Sequence, residues 1–472
     1  MSNTSNLKAF FKGSAVLVLS NVSLKAINFF LLRLYTDHLT PQMLGVSDTV
    51  TSFTGLLFPI LVMGLDSAYS AFYFEKEEQD RSRKVYSTII AVLTVIGVLP
   101  LLACIFSKDL ATMLFGNSNN YMVMVLALIS VTLNLWYLPF TLEIRMQNRM
   151  TVYGVITVIS SLIMILLNIY FVSVLKLGVY ALILSTVIVH LLQLILFAAC
   201  AKARFSFAFI DGALLKKMLR FSLPLVPTVV ATWILNLSDR YVILHYLGED
   251  AVGIYGIGGR FITLVNMIVS GVTMAYTTFA YSNVDNPDAK KQYATVLNLM
   301  YVLLIGIAFV ISIFSREIIQ IMTSEAYASA YEPIRDMMFA QVVYAISTIT
   351  SYGIFFKKKP GYALLSTTLA AVVNLILNCL LIPQYGIAAA AATTLVGYLI
   401  MFLINYVVSQ KLYPCDYGIK KIGLNMAALY IVVILCTDGA LMVRIVITVI
   451  CAAVTLLMFR KQLKEIFLMI KR

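Results

Sequence analysis

Long apolar stretches alternate with short polar patches along almost the whole chain. Stretches of about 20 apolar residues are long enough to cross the hydrocarbon of a bilayer as helices. The pattern predicts about fourteen transmembrane helices. Their approximate ranges are 14–35, 45–74, 85–106, 121–141, 152–175, 178–200, 220–246, 252–281, 292–314, 333–356, 361–382, 386–410, 422–438 and 441–459.

The composition agrees with this pattern. Of the 472 residues, 61% are hydrophobic and only 12% are charged, whereas a soluble domain has about a quarter charged. We therefore predict an all-α polytopic membrane protein without a large soluble domain. The first apolar run lacks an A-x-A-like cleavage site, which favours a transmembrane helix over a removed signal peptide. The six cysteines are scattered without a C-x-x-C motif, and we predict neither a metal site nor a cofactor.

The basic residues set the predicted orientation. The net charge is +13, and the Lys and Arg residues concentrate in the even-numbered loops, in the run 357–359 and in the tail 460–472. By the positive-inside rule, both termini and these loops are cytoplasmic. Because the positive charge is dispersed over many loops, a nucleic-acid partner is disfavoured.

Weak internal repetition predicts a duplicated architecture. A shift of 208 positions brings together Leu39 and Leu247, Gly45 and Gly253, Phe53 and Phe261, Leu56 and Leu264, and Tyr73 and Tyr281. A later match pairs Asn168 with Asn378, Gly178 with Gly386, Ala181 with Ala389 and Thr186 with Thr394. Six helices per repeat preserve orientation, so the two lobes are parallel repeats around a central cavity.

The predicted domains follow from this repeat. They are an amino-terminal six-helix lobe (1–200), a cytoplasmic amphipathic linker (201–219), a carboxy-terminal six-helix lobe (220–410), and two additional helices with a basic tail (411–472). The linker is basic and aromatic, which is typical of a helix at a membrane surface.

Charged and amide side chains inside the apolar stretches are the candidates for function. Ionisable groups in the hydrocarbon are costly and usually face a cavity or each other. Arg and Lys suit phosphate oxygens, Arg through its fork of donors and Lys as a point charge. We expect a shared cationic cavity lined from the first two helices of each lobe. The candidate substrate-binding residues are Asn21, Lys25, Asn28, Arg33, Asn236, Arg240 and Arg260.

Plainer interpretations remain open for several of these residues. Arg33 lies near the outer end of its helix and is equally compatible with snorkelling to the interface. Asp239 and Arg240 are equally compatible with a structural pair. Asp48, Asp66 and Asp239 are candidates for coupling transport to H⁺ or Na⁺, although pairing with Lys25 or Arg260 is the favoured interpretation of the first two. Pro59 predicts a kink between Asp48 and Asp66.

Several segments resemble one family of transporters. The segment "FSLPLVPTVVATWILNLSDRYVILHYLGEDAVGIYGIGGRF" (221–261) resembles the start of the second lobe in polysaccharide-exporter and O-antigen (Wzx-type) flippases. "RLYTDHLTPQMLGVSD" (33–48) and "GLDSAYSAFYFE" (64–75) agree in the first lobe, and "NLILNCLLIPQYGIAAAAATTL" (374–395) resembles the family's helices 11–12.

The resemblance implies the multidrug/oligosaccharidyl-lipid/polysaccharide exporter fold, with two six-helix lobes in a V and an additional helix pair. It implies a flippase of the bacterial cytoplasmic membrane that carries an undecaprenyl-diphosphate-linked oligosaccharide to the outer leaflet by alternating access. The cargo would be a repeat unit of O-antigen, capsule or exopolysaccharide. The implied partners are this lipid-linked substrate, membrane lipids and polysaccharide polymerase or assembly proteins. The resemblance also implies a cavity-lining role for Lys25, Arg240 and Arg260.

Three alternatives compete with this interpretation. A cation-coupled multidrug exporter of the same fold would use acidic groups such as Asp48 and Asp66. A lipid II flippase would have a first helix richer in Arg. A membrane enzyme, such as a polymerase or ligase, would need a large catalytic outer loop, but the longest predicted one, 315–333, is short. We therefore expect a transporter and not an enzyme.

Overall fold

The computed structural model describes residues 31–73, 80–202, 205–284, 286–460 and 462. This part of the chain consists of helices and turns and contains no strand. The α-helices are α1 (Leu32–His38), α2 (Pro41–Val62), α3 (Leu65–Phe72), α4 (Arg81–Ala103), α5 (Ser107–Phe115), α6 (Tyr121–Met146), α7 (Met150–Ile169), α8 (Tyr180–Cys200), α9 (Gly212–Ser222), α10 (Val226–Leu237), α11 (Asp239–Leu247), α12 (Glu249–Ser282), α13 (Ala289–Ile313), α14 (Ser315–Met322), α15 (Ile334–Thr350), α16 (Tyr352–Phe356), α17 (Gly361–Leu412), α18 (Ile419–Cys436) and α19 (Leu441–Met458).

The predicted all-α membrane architecture is confirmed. Among the described residues, twelve helical segments are long and apolar enough to cross a membrane. One of them, α17, has 52 residues and covers two predicted spans. Gly386 divides it with a left-handed φ of 69°. Gly178, its match in the predicted repeat, also has a left-handed φ, of 59°, just ahead of α8. Most of the first predicted span lies outside the described residues, so the number fourteen stays a prediction.

The chain forms two compact units. The first contains the described part of Met1–Trp233 together with Gly248–Gly253, and the second contains Ile234–Leu247 and the described part of Ile254–Arg472. The core of the first unit joins α3, α4, α6 and α9 through Tyr69, Tyr86, Leu135 and Met218. The predicted boundaries at 200, 219 and 410 remain predictions.

The second predicted span, 45–74, is divided into two helices. Thr40 caps α2 by accepting a hydrogen bond from the Met43 amide at 3.3 Å. The helix continues through Pro59 and ends at Val62, and Met63 and Gly64 then both take left-handed conformations. The break therefore follows Pro59 by four residues instead of lying at the proline. A side chain at Gly64 would also approach the Ser222 carbonyl oxygen at 2.9 Å.

Two glycines in the first unit allow α2 to cross the first turns of α12 in backbone contact. A Cβ atom on Gly45 would lie 1.8 Å from the Glu249 carbonyl oxygen, and one on Gly253 would lie 1.9 Å from the Pro41 carbonyl oxygen. No side chain fits at either position. Glycine at these two positions therefore permits the close helix packing.

The two carboxy-terminal helices are attached to the second unit by buried polar contacts. Arg444 of α19 is 5% exposed, forms a bidentate ion pair with Glu317 and donates to the Ile313 carbonyl at 2.9 Å. Hydrogen bonding from Arg444 lowers the pKa of Glu317 below its ordinary value. Asn425 of α18 accepts from the Tyr301 hydroxyl at 2.7 Å. The opposite faces of α18 and α19 expose large apolar side chains, as expected for helices against acyl chains.

Helix α9 begins within the segment predicted as a linker and extends three residues past its predicted end, and Asp211 caps its start. Its Oδ1 accepts a hydrogen bond from the Leu214 amide at 2.9 Å. This bond, helped by the charges of Lys84 and Arg81, lowers the pKa of Asp211. The ionised carboxylate thus stabilises the start of α9, both by accepting this hydrogen bond and through its charge near the helix N-terminus.

We expect Asp211→Ala to lower the free energy of unfolding by about 1 kcal/mol at neutral pH. Because the pKa is depressed in the folded state, this contribution is present above the ordinary Asp value of about 3.9 and fades as the pH falls through the lower folded value. Thermal unfolding in detergent at several pH values measures it. Asp211→Asn, which retains a capping oxygen without the charge, should lose little stability and should show no such pH dependence.

Candidate functional site in the second unit

A polar cavity of about 900 Å³ lies inside the second unit. The end of α10, the start of α11 and one face each of α12, α15 and α17 surround it. On α12 the lining residues recur every three or four positions, at 255, 259, 262, 263, 266, 269, 270, 273 and 277, so that one helical face is turned to the cavity. The polar side chains of the lining are Asn236, Asp239, Arg240, Tyr255, Thr263, Asn266, Ser270, Thr273, Thr277, Gln341, Tyr344, Thr348, Thr394 and Tyr398.

Arg240 supplies the positive charge of this cavity lining. Its side chain is 15% exposed and lies 3.5 Å from Asp239 Oδ1. The guanidinium also lies 5.9 Å from the centroid of the Tyr255 ring and donates to the Asn236 carbonyl at 3.5 Å. These contacts are long for hydrogen bonds, and the guanidinium forms part of the cavity wall.

Asp239 is held more tightly than its basic neighbour. It is 4% exposed and accepts hydrogen bonds from the Tyr255 hydroxyl and from the Arg240 amide, the latter at 2.9 Å. Its two oxygens therefore have neutral donors as well as the guanidinium. Both oxygens of the carboxylate therefore have hydrogen-bond partners within the protein.

The rest of the lining is neutral and rich in oxygen. Thr263 and Ser270 donate to carbonyls one turn earlier on α12, at 3.2 and 2.7 Å, which leaves their lone pairs as acceptors. Thr277 donates in the same way at 2.7 Å and also bonds to the Tyr352 hydroxyl. Asn236 accepts from the Tyr398 hydroxyl. The arrangement suits a hydrophilic ligand with an anionic group, because a guanidinium recognises phosphate or carboxylate oxygens in pairs.

The structure brings three of the sequence-predicted residues together, namely Asn236, Asp239 and Arg240. Arg260 is not part of this lining, because it follows Gly259 by one position and so lies about 100° around α12. Arg33 forms an exposed ion pair with Asp37 at 3.0 Å. The substrate-binding role of each remains a prediction.

The other predicted residues lie apart from this cavity or outside the described ranges. Asn21, Lys25 and Asn28 lie outside the described residues. Asp48 is half-buried on α2, and Asp66 is exposed in the first turn of α3. Within the described ranges, no group of three or more His, Cys, Asp or Glu side chains could hold a metal ion.

The sequence interpretation missed two features. Tyr255 and Gln341 line the cavity although neither carries charge. The only sequence signal for them is their spacing of one helical turn from two other lining residues, Gly259 and Tyr344. Glu143 on α6 is 3% exposed. It accepts from the Tyr69 hydroxyl, from the Tyr73 hydroxyl at 3.1 Å and from Gln147 at 2.6 Å. In the sequence, Glu143 is a single acidic residue near the end of a predicted helix, and nothing around it indicates that it is buried.

Comparison with known proteins identifies the family. A family model described as polysaccharide biosynthesis protein matches residues 33–332, more than half of the chain. The chain belongs to this family. The curated proteins that match this chain are distant in sequence, at 21–23% identity.

Three relatives show how low the sequence identity is. An uncharacterized membrane protein of Methanocaldococcus jannaschii is 22% identical over 87% of this chain and 86% of its own length. Lsg locus putative protein 1 of Haemophilus influenzae is 21% identical over 62% of this chain and 69% of its own. The probable low-salt glycan biosynthesis flippase Agl15 of Haloferax volcanii is 23% identical over 39% of each chain.

Solved structures share the fold of this chain. The lipid II flippase MurJ in an inward closed conformation superposes with a TM-score of 0.70, at 17% identity over 98% of this chain and 100% of that one. An inward-facing MATE family multidrug resistance transporter of the MOP superfamily gives a TM-score of 0.64, at 14% identity over 88% and 95%. The predicted exporter fold is confirmed, and it is a fold of membrane transporters.

Proposed function

We propose that this protein is a flippase that carries an undecaprenyl-diphosphate-linked oligosaccharide from the cytoplasmic to the outer leaflet by alternating access. The observation that carries the proposal is the guanidinium of Arg240 in the wall of a large polar cavity, among helices that are mostly apolar. A cavity of about 900 Å³ is of the size that holds a sizeable polar ligand.

The diphosphate headgroup of the proposed substrate is the reason why a polar cavity is needed. A diphosphate that enters bare hydrocarbon loses its hydration at a prohibitive cost. Arg240, the hydroxyls of α12 and the amides of Asn236 and Gln341 would replace part of that hydration. Lys25 and Arg260 would add positive charge elsewhere along the path. The polyprenyl chain would stay among the membrane lipids.

The comparisons support the same proposal. The family is one of polysaccharide biosynthesis, one relative is named as a glycan biosynthesis flippase, and a structure of the same fold is a lipid II flippase. We place the protein in the bacterial cytoplasmic membrane with both termini in the cytoplasm and with polysaccharide polymerase or assembly proteins as partners. No cofactor is required.

Asp239 is the proposed coupling residue if transport is driven by H⁺ or Na⁺. It lies in the cavity wall next to Arg240. A change in its charge would alter how strongly the guanidinium is held and so how available it is to a phosphate. Asp48 and Asp66 lie on α2 and α3, are not among the residues that line this cavity, and are the weaker candidates.

Reconstitution tests the proposal. Proteoliposomes containing the full chain and a fluorescent undecaprenyl-diphosphate oligosaccharide in one leaflet should show protein-dependent exposure of the label to an external quencher. The expected rate exceeds that of protein-free vesicles by at least about tenfold. Movement of a cationic drug without movement of the lipid would instead establish the multidrug exporter alternative. Hydrolysis or polymerisation of the lipid would establish an enzyme.

A further inference from the structure

A second polar hollow lies in the first unit. It has a volume of about 300 Å³ and is formed by α2, α6 and α8. We call it the first-unit hollow. Its polar lining consists of Thr51, Thr54, Ser130, Asn134, Thr186 and His190. This volume is at the lower end for small-molecule pockets, which begin at about 300 Å³.

The first-unit hollow and the cavity of the second unit are built from matching positions of the repeat. On α2, positions 51, 54, 55 and 58 line the hollow, and 208 positions later 259, 262, 263 and 266 of α12 line the cavity. The same shift takes 186 and 190 of α8 to 394 and 398 of α17. A shift of 210 takes 127, 130, 131 and 134 of α6 to 337, 340, 341 and 344 of α15.

This agreement covers ten of the twelve residues that line the first-unit hollow. Random packing defects in two halves of a protein would not fall on corresponding positions of three helices each. We therefore regard the hollow as the counterpart, in the first unit, of the cavity that contains Arg240.

The chemistry of the two linings has diverged. The first-unit hollow contains no Lys, Arg, Asp or Glu among its lining residues, so it offers nothing to balance the charge of a phosphate. The hydroxyls of Thr51, Thr54 and Thr186 donate to backbone carbonyls of their own helices at 2.7, 3.0 and 2.9 Å. Their lone pairs remain to accept hydrogen bonds from a ligand.

Asn134 supplies the complementary donors. It lies half-buried on α6, in the lining of the hollow, and its side chain makes no hydrogen bond to another residue that the structure describes. Ser130 and His190 are already joined, with 3.0 Å between Ser130 Oγ and His190 Nδ1. Phe58 adds an aromatic ring to the wall, against which an apolar ligand face can pack.

We propose that the first-unit hollow binds an uncharged sugar ring of the glycan. Neutral acceptors, one free amide and an aromatic wall match the alternating hydroxyls and apolar face of a pyranose, whereas the missing charge excludes the diphosphate. This proposal deepens the proposed function and rests on it. It assigns recognition of the glycan to the first unit and leaves the anionic headgroup to Arg240.

The test measures binding of two parts of the substrate to the full chain in nanodiscs. One probe is undecaprenyl diphosphate without sugar. The other is the lipid-free oligosaccharide released by mild acid from the lipid-linked intermediates of the native host. We expect Asn134→Leu to weaken oligosaccharide binding about tenfold, the effect of losing its hydrogen bonds, and to leave undecaprenyl diphosphate binding unchanged.

Matched variants separate the outcomes. Gln193→Leu makes the same amide-to-apolar change on α8 outside the lining and should change neither affinity. Thr54→Val keeps the shape, removes one lining oxygen and carries the test if Asn134→Leu does not fold. Equal oligosaccharide affinity in wild type and in the folded lining variants, or no oligosaccharide binding by wild type, would overturn the inference. Arg240→Glu should lose only undecaprenyl diphosphate, and failure of that result alone would count against the proposed function.

Discussion

Arg240→Glu is expected to reduce transport of the lipid-linked oligosaccharide by about a hundredfold or more, the effect of removing a buried charge partner. The substitution replaces the guanidinium of the cavity wall by a second carboxylate beside Asp239. A diphosphate would then meet repulsion where it now meets a fork of donors. The rate of label exposure in proteoliposomes measures the effect, and surface polysaccharide in the native host gives a second measurement.

Controls separate loss of charge from loss of structure. Arg240→Lys keeps the positive charge but not the bidentate geometry and should retain part of the activity. Lys108→Glu reverses an exposed charge at the start of α5, outside every cavity described above, and should transport normally. If Arg240→Glu accumulates in the membrane and transports at the wild-type rate, the guanidinium has no part in headgroup binding.

Gly253→Ala is expected to destabilise the fold by about 3 kcal/mol or more, at the upper end for overpacking. The added methyl group would lie 1.9 Å from the Pro41 carbonyl oxygen, and both partners are backbone atoms that cannot change rotamer. Gly45→Ala should do the same through the Glu249 carbonyl oxygen, at 1.8 Å. Such a loss is a large share of the about 5–15 kcal/mol that typically holds a protein folded.

The control for this prediction is a glycine on the same helix, Gly271. Gly271 has no atom within 4 Å of an added Cβ, so Gly271→Ala should be neutral or slightly stabilising, because Ala favours the helix by up to about 1 kcal/mol. Thermal unfolding and the yield of monodisperse protein in detergent measure all three variants. A Gly253→Ala protein as stable as the Gly271→Ala protein would show that α2 and α12 do not cross as closely as described.

The sequence predicted the helices well because a membrane imposes a simple rule. Every backbone polar group in hydrocarbon must be satisfied within its own segment, so a long apolar run has few choices other than a helix. The ends and interruptions were harder to predict. Val62 to Leu65 contains the break that we expected at Pro59, because the left-handed Met63 has no signature in the sequence.

The candidate site was predictable only where a charged or amide side chain, such as Asn236, interrupts an apolar run. The Asp239–Arg240 pair stands out in an apolar run and lies in the cavity wall. Arg260 carries the same signal but lies on another face of α12, which depends on a helical phase that the run of apolar residues does not fix. Asp37, the partner of Arg33, lies one turn away on the same helix and was detectable from spacing alone. The burial of Glu143 depends on contacts from α3, distant in the chain, and no local pattern encodes them.

The matching register of the first-unit hollow and the second-unit cavity has a consequence for how such a transporter diversifies. Under the proposed function, the two linings can change independently while the matching positions on their helices are retained. His190 and Tyr398 occupy matching positions with different chemistry. Substitutions in the first-unit hollow would then change which glycan is bound without altering Arg240 in the other lining. One scaffold can in this way serve organisms whose surface sugars differ.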